Sequence, residues 1–270
     1  MARTFDGVDD QIAFGSEAAI DDMSGFTACL YVRITAAVTD ERIGVSKFSS
    51  GYVGKQHMAF LGSGGSNNKV SVYMNATGSD PYAESVADVL AVDTWKCIIT
   101  TWAGTVGGTA PQIFACTVGG LIAEVSYASQ VIGSGTIESD AGATLRVGAR
   151  DALDATFFTG GLAESALWNR VLTADEMIAL GRGFSPAFFS RGRVMYCPID
   201  GRTSPERNLV GGGSNGTVTG TTFLDHPSII RPVNYNIVKG TPAAPSVGQP
   251  YVKRLAGVPW MTPTRFSGVW

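Results

Sequence analysis

The sequence predicts an all-β protein: a two-sheet antiparallel sandwich with one short helix and an extended C-terminal arm. Two observations predict this class. Apolar and polar residues alternate through residues 26–35, which is the period of a strand with one buried face. A helical pattern with capping signals appears once, after residue 172, so strands and turns are expected through most of the chain before it.

The predicted strands are short and are separated by glycine-rich turns. After 26–35 they fall at 42–48, 57–62, 69–75, 95–102, 112–118, 121–127, 143–148 and 156–168. Many short strands with glycine turns between them favour two packed sheets. The residues expected inside the sandwich are Phe26, Leu30, Val32, Ile34, Trp95, Leu162 and Trp168.

The helix signal follows the last of these strands. Thr173 and Glu176 have the spacing of a capping box, and Leu172 and Met177 are placed to form a hydrophobic staple. Gly181 and Gly183 are expected to end the helix.

The composition changes near residue 227. Seven of the twelve prolines lie in residues 227–270, which excludes regular helix and central strand there. The same stretch carries five aromatic residues, whereas a free disordered tail is normally poor in them. We therefore expect two parts, a sandwich at 1–226 (with a closing segment at about 190–226) and an arm at 227–270. The arm residues expected to bind a partner are Tyr251, Trp260, Phe266 and Trp270.

Bulk composition excludes several functions. The 270 residues are 44% hydrophobic and only 16% charged, and the net charge is −3. A chain without a basic field is not expected to bind nucleic acid. No apolar run approaches the ~20 residues that span a bilayer, and residues 1–5 show no signal sequence, so we expect cytoplasmic synthesis and no membrane partner.

The cysteines predict structural thiols. Cys29, Cys97, Cys116 and Cys197 each lie in a strand-like run, without CxxC spacing or a histidine nearby. In a cytoplasmic protein this favours free, half-buried thiols, with a disulfide or metal role as the alternative.

Two acidic clusters have alternative interpretations. Asp6, Asp9 and Asp10 fit a turn and a solvated bend, and calcium, which prefers clustered carboxylates, is the alternative. Asp21 and Asp22 are interpreted as a loop or cap, with the same alternative. We expect no cofactor and no metal.

Catalytic patterns are weak. Glu138-Ser139-Asp140 resembles the start of the Glu-x-Asp-x-x-Glu strand of sandwich glycosidases, but the third carboxylate is missing and the segment is predicted as a loop. His57 and His226 have no adjacent Ser or Cys that would complete a triad. Trp95 is expected in the core, with an exposed sugar-stacking platform as the alternative. No enzyme is predicted.

The run from Gly161 to Glu176, with Trp168-Asn169-Arg170 at its centre, resembles the closing element of laminin-G-like, concanavalin A-like jelly rolls. Residues 5–14 resemble the opening strands of the same family. An element that members often place first resembles residues 199–201 and 208–220 here, which implies a circularly shifted layout. The resemblance covers roughly residues 3–225 and implies the jelly-roll fold; that fold hosts lectins, glycosidases and structural modules alike.

The chain also resembles bacteriophage-encoded proteins of this family, because it is rich in Gly, Ala, Ser and Thr, has the run FDGVDD at residues 5–10 and carries an arm that ends in an aromatic residue. This resemblance implies a virion structural protein, first a capsid decoration protein held to neighbouring capsid or tail subunits, and to copies of itself, by the arm. The alternative is a carbohydrate-binding module of a phage tail or fibre, and a glycan-degrading enzyme comes third.

Overall fold

The computed structural model describes residues 1–38, 40–48, 56–63, 66–86, 88–150 and 156–232. Within them the chain forms sixteen strands, one α-helix and one short 3₁₀ helix at Pro186–Phe188. The strands are β1 Ala2–Asp6, β2 Gln11–Gly15, β3 Phe26–Arg33, β4 Arg42–Phe48, β5 Gln56–Ser63, β6 Ser66–Met74, β7 Tyr82–Ser85, β8 Lys96–Trp102, β9 Gln112–Thr117, β10 Ala123–Glu124, β11 Tyr127–Val131, β12 Thr144–Val147, β13 Thr159–Trp168, β14 Arg193–Cys197, β15 Thr217–Thr219 and β16 Thr222–Leu224. The helix α1 is Ala174–Gly181.

The strands form two antiparallel sheets. One has the order β10-β9-β8-β3-β13-β1-β16, and β14 pairs with the end of β13 that β1 leaves free. The other has the order β11-β7-β6-β5-β4-β12-β2-β15. The predicted two-sheet antiparallel sandwich with one helix is confirmed. Since β15 and β16 flank β2 and β1, the closing segment completes both sheets beside the N-terminal strands.

The hydrophobic core lies between the sheets. Phe26, Leu30, Val32, Ile34 and Leu162 are all part of it and at most 1% exposed, as predicted. Successive side chains of a strand point to opposite faces, so the remaining side chains of β3 lie on the outer face of its sheet, where α1 packs.

Trp168 is buried, but not in this core. The pairing of β13 with β3 shifts between Ala163 and Ala166, where Glu164 has a φ of +52°. This bulge adds one residue and reverses the faces, so that Trp168 pairs with Thr27 on the outer face. Leu162 therefore faces the core and Trp168 does not, although the sequence predicted both inside the sandwich.

The outer face is covered by α1 and the 3₁₀ helix. The capping box of Thr173 and Glu176 is confirmed, and both Leu172 and Met177 are buried. The helix ends at Gly181, as predicted. Gly183, with a φ of +89°, closes it by donating its N–H to the carbonyl of Leu180. The residues that start and end α1 are thus those that the sequence predicted, and the helix lies over the outer face of the sheet that contains β3.

After β16 the chain returns to the sandwich. Ile230 donates its N–H to the Gly183 carbonyl at 2.8 Å, and its carbonyl accepts from Ser185 at 2.9 Å. The compact unit that contains the sandwich spans Met1–Asn234. Four residues predicted to bind a partner lie outside the described residues: Tyr251, Trp260, Phe266 and Trp270.

The four cysteines carry free thiols. Cys97 pairs directly with Cys116 across β8 and β9, beneath α1, and burial raises the pKa of the Cys97 and Cys197 thiols well above its usual range. None of the helices in the described ranges has the length and apolar character needed to cross a membrane.

Candidate functional site

A cavity of about 560 Å³ opens where three loops meet at one end of the sandwich. We call it the rim cavity. It is lined by Asp22–Ser24 from the β2–β3 loop, Gly104–Val106 from the β8–β9 loop and Gly135–Ser139 from the β11–β12 loop, with Trp102 at the end of β8. Its volume falls within the range of small-molecule sites.

Two of these loops approach each other more closely than any side chain would allow. A Cβ on Gly104 would lie 1.2 Å from the carbonyl oxygen of Ser24, and the φ of Gly104 is +83°. Only glycine satisfies both conditions without displacement of the loop. The glycine therefore brings the β8–β9 loop against the β2–β3 loop and closes that side of the rim cavity.

A buried ion pair anchors the other side. Lys47, in β4, has no exposed side-chain surface, and its Nζ lies 2.6 Å from Asp21 Oδ1 and 3.0 Å from Asp140 Oδ1. Burial raises the pKa of Asp140, and its hydrogen bonds with Asp22 and Lys47 only partly oppose this rise. Burial acts less on Asp21, which is 24% exposed, so the hydrogen bond with Lys47 holds its pKa below the usual value.

This ion pair orients the carboxylate of Asp22. Asp140 donates its N–H to Asp22 Oδ1 at 3.0 Å, and Asp22 donates its N–H to Asp140 Oδ1 at 2.7 Å. Ser139 donates its hydroxyl to Asp22 Oδ2 at 3.0 Å. The Asp22 side chain is thus held in one direction before any ligand arrives.

The rim cavity also has a second carboxylate and an apolar side. Glu138 accepts a hydrogen bond from the side-chain amide of Asn75, which fixes its carboxylate. Met23, Val106 and Ile137 supply apolar surface. Trp102 is only 2% exposed, and its indole N–H has no hydrogen-bond partner among the described residues.

The weak catalytic pattern at residues 138–140 falls on the lining of the rim cavity. Glu138 lines the cavity, whereas Asp140 forms the ion pair with Lys47 and does not line the cavity. The segment lies between β11 and β12, outside any strand, as predicted.

The Asp6, Asp9 and Asp10 carboxylates meet within 4.8 Å of one another. Asp10 is buried, and its two oxygens accept the N–H groups of Asp6 at 2.7 Å and Thr221 at 2.6 Å. These contacts join the first hairpin to the chain before β16, as a structural turn does. The calcium alternative stays a prediction.

Trp95, predicted in the core, is instead half-buried on the outer face. It lines a groove of about 470 Å³ with Val118, Arg182 and Pro227–Ile230, which we call the Trp95 groove. Trp95 precedes β8 by one residue and lies opposite Val118, whose N–H donates to the Trp95 carbonyl. The core prediction is wrong because this register directs the indole away from the second sheet.

The sequence did not single out Lys47, Gly104 or Thr105. The glycines of Gly107-Gly108 and Gly133-Ser134-Gly135 indicate turns in two of the lining loops, but no local sequence pattern shows that these two loops meet. The histidines form no catalytic pair in the described structure: His226 lies 3.3 Å from the buried Glu164, and the His57 side chain is outside the described residues.

The two antiparallel sheets packed face to face define a jelly-roll sandwich. A family model described as the concanavalin A-like lectin/glucanases superfamily matches residues 6–177, and the chain belongs to that superfamily.

Several solved structures are similar to this chain at low sequence identity. A candidate carbohydrate-binding protein from Bacteroides ovatus is 15% identical with a TM-score of 0.55, over 82% of this chain and 58% of that one. The enzymatically active domain of tailspike protein 2 from bacteriophage CBA120 is 10% identical with a TM-score of 0.48, over 75% and 34%. The sialidase CBM40 of Ruminococcus gnavus is 14% identical with a TM-score of 0.40, over 63% and 93%.

The chain therefore spans 58% of the length of the Bacteroides protein that it resembles. Among curated proteins, no relative with significant sequence similarity was found.

Proposed function

We propose that this protein is a carbohydrate-binding, lectin-like module and that the rim cavity holds the glycan. The observation that carries the proposal is the preorganised lining of the rim cavity, in which fixed carboxylates face apolar surface. A sugar ring presents hydroxyl groups at its edge and C–H groups on its faces, so it needs both kinds of surface.

Each kind of surface has its residues. Asp22 and Glu138 accept hydrogen bonds from sugar hydroxyls, and hydrogen bonds to charged groups are about twice as strong as neutral ones. Met23, Val106 and Ile137 contact the C–H faces. The candidate carbohydrate-binding protein of Bacteroides ovatus uses the same fold, which agrees with the proposal.

Filling the rim cavity is expected to abolish glycan binding. Thr105 is exposed and lines the cavity, so Thr105→Trp places an indole in it without disturbing the core. Screening on a glycan array, followed by titration calorimetry of the best hit, should show at least about a tenfold loss of affinity in the variant. Leu121→Trp, at a site 70% exposed and away from the cavity, is the matched control.

Unchanged affinity in Thr105→Trp would contradict the rim cavity as the glycan site. Loss of the same affinity in Trp95→Ala would then place the glycan in the Trp95 groove. Absence of binding to any glycan on the array would contradict the proposed function itself.

A second candidate function is a virion structural role, as a capsid decoration protein attached through the last residues of the chain. It is favoured by the five aromatic residues between Tyr235 and Trp270, because aromatic side chains dominate interface hot spots. Its partners would be other virion proteins and further copies of this chain, and its location would be the virion.

Truncation after Asn234 is expected to leave a folded sandwich that no longer joins its assembly. The cut must follow residue 234, because Ile230 and Arg231 bind the sandwich. Sedimentation velocity should show that the truncated protein no longer associates with itself or with the virion. Its melting temperature should be unchanged. A full-length chain with Tyr251, Trp260, Phe266 and Trp270 all changed to Ala should behave in the same way. Normal incorporation of either variant would exclude the arm as the attachment device.

A further inference from the structure

We infer that the rim cavity selects saccharides that carry a cationic amine, that is, amino sugars with an unacetylated nitrogen. The inference rests on the proposed function and adds the class of ligand. It comes from the charge of the lining, from the buried network behind that lining and from one unpaired indole N–H group.

The lining of the rim cavity carries charge of one sign. Asp22 and Glu138 are both carboxylates, and among the described residues no lysine, arginine or histidine lines the cavity. A concave surface with low-dielectric walls concentrates the potential of such charges at its centre. A ligand with a positive group therefore gains energy on entering the rim cavity, and an acidic sugar is repelled.

The neighbouring network does not neutralise this charge. Lys47 is its cation, but that ammonium has no exposed surface and already lies within 3.0 Å of carboxylate oxygens of both Asp21 and Asp140. One ammonium thus faces two carboxylates of its own, and Asp22 is hydrogen-bonded to Asp140 rather than to Lys47. The negative charge of Asp22 remains available to a ligand.

The indole of Trp102 distinguishes an amino sugar from a bare cation. Trp102 lines the rim cavity, is 2% exposed, and has an N–H group without a partner among the described residues. This N–H group itself has almost no exposed surface, so a ligand oxygen reaches it only if the indole shifts slightly; that shift is favoured because a buried donor without an acceptor is costly. A metal ion cannot accept that hydrogen bond, whereas a sugar hydroxyl or ring oxygen can.

The test compares three trisaccharides of different charge by titration calorimetry: fully deacetylated chitotriose, its N-acetylated form and trigalacturonate. The deacetylated trimer is expected to bind about tenfold more tightly than the acetylated one at low salt, and the difference should shrink as salt rises. Trigalacturonate should bind most weakly.

Variants then assign the preference to the lining. Asp22→Asn and Glu138→Gln preserve shape and remove charge, and asparagine tolerates the φ of +49° at position 22. Their combination should equalise the affinities of the two chitotrioses, and Thr105→Lys should reverse the order. Asp88→Asn is the control, because Asp88 is also an aspartate with positive φ (+66°) but is exposed and outside the cavity.

Equal or tighter binding of the acetylated trimer would overturn the inference and leave the proposed function intact. The same preference in Asp22→Asn/Glu138→Gln as in the unmodified protein would also overturn it. Tight calcium binding to the rim cavity, displaced by neither chitotriose, would replace it with a metal site. If none of the three trimers nor any array glycan binds, the proposed function fails with it.

Discussion

Replacing Arg231 by glutamine is expected to lower the free energy of unfolding by about 3 to 5 kcal/mol, because it leaves a buried carboxylate without its main counter-charge. Glu164 has no exposed side-chain surface, and Arg231 Nη2 lies 2.7 Å from its Oε1. Tyr196 donates its hydroxyl to the other oxygen at 2.7 Å. These bonds hold the chain after β16 against β13, so the loss should appear in the unfolding of the whole sandwich.

The opposite substitution should cost less. In Glu164→Gln the charge that loses its carboxylate is Arg231, whose side chain is 25% exposed and can be hydrated. Urea unfolding of Arg231→Gln, Glu164→Gln and the double variant measures the coupling between the two charges. A loss in Arg231→Gln below about 1 kcal/mol would mean that the pair acts as an exposed ion pair does.

The pH dependence of stability gives a second measure of the same pair. Burial raises the pKa of Glu164, but the hydrogen bond with His226 and the charge of Arg231 outweigh it, so the pKa lies below its usual value. Such a group stabilises the fold above the pKa of the unfolded chain, about 4.3, and this contribution disappears as the pH falls through the folded-state pKa.

Removal of Arg231 should weaken this contribution. The pKa of Glu164 then rises, because one of the charges that lower it is lost while burial remains, although the hydrogen bonds with His226 and Tyr196 persist. Glu164 therefore takes up its proton at a higher pH in Arg231→Gln than in the unmodified protein, and the stability difference between the two should shrink as the pH is lowered from about 7 to about 4. A difference that stays constant over this interval would show that Glu164 does not titrate there.

Features that depend on a few neighbouring residues could be predicted from the sequence. Thr173, Glu176 and Gly183 start and end α1 by contacts within ten residues, and the alternation through β3 determines which side chains face the core. The bulge in β13 could not be predicted, because Glu164 adopts a backbone conformation that glutamate rarely takes. Its partner Arg231 is 67 residues away, and together with the local pairing it holds that conformation.

The rim cavity could not be predicted from the sequence either, because its residues are far apart along the chain. Lys47 and Asp140 are 93 residues apart, and Asp22 and Asp140 are 118 apart, so no local pattern connects them. Residues 138–140 form a carboxylate pattern that is visible in the sequence. The role of Asp140 nevertheless depends on Lys47, and in the sequence Lys47 is an ordinary polar residue at the end of a strand. Burial of a lysine follows from the approach of two loops, and only the assembled sandwich shows it.

Truncation of Trp168 to alanine is expected to lower the free energy of unfolding by about 3 to 5 kcal/mol, because a fully buried indole leaves a cavity that the surrounding structure fills only partly. Trp168 is 0% exposed and donates its indole N–H to the carbonyl of Phe189 at 2.7 Å. That bond joins β13 to the residue that follows the 3₁₀ helix, so the variant also leaves a carbonyl oxygen without its donor.

The position of Trp168 on the outer face makes a more specific outcome testable. Since α1 and the 3₁₀ helix cover that face, hydrogen exchange in Trp168→Ala should rise most in residues 172–189 and less in the strands around Leu30 and Val32. Trp168→Phe tests the indole hydrogen bond separately, and Leu121→Ala, at a site 70% exposed, should change stability by less than about 0.5 kcal/mol. Equal exchange in both sheets of Trp168→Ala would place this residue in the central core after all.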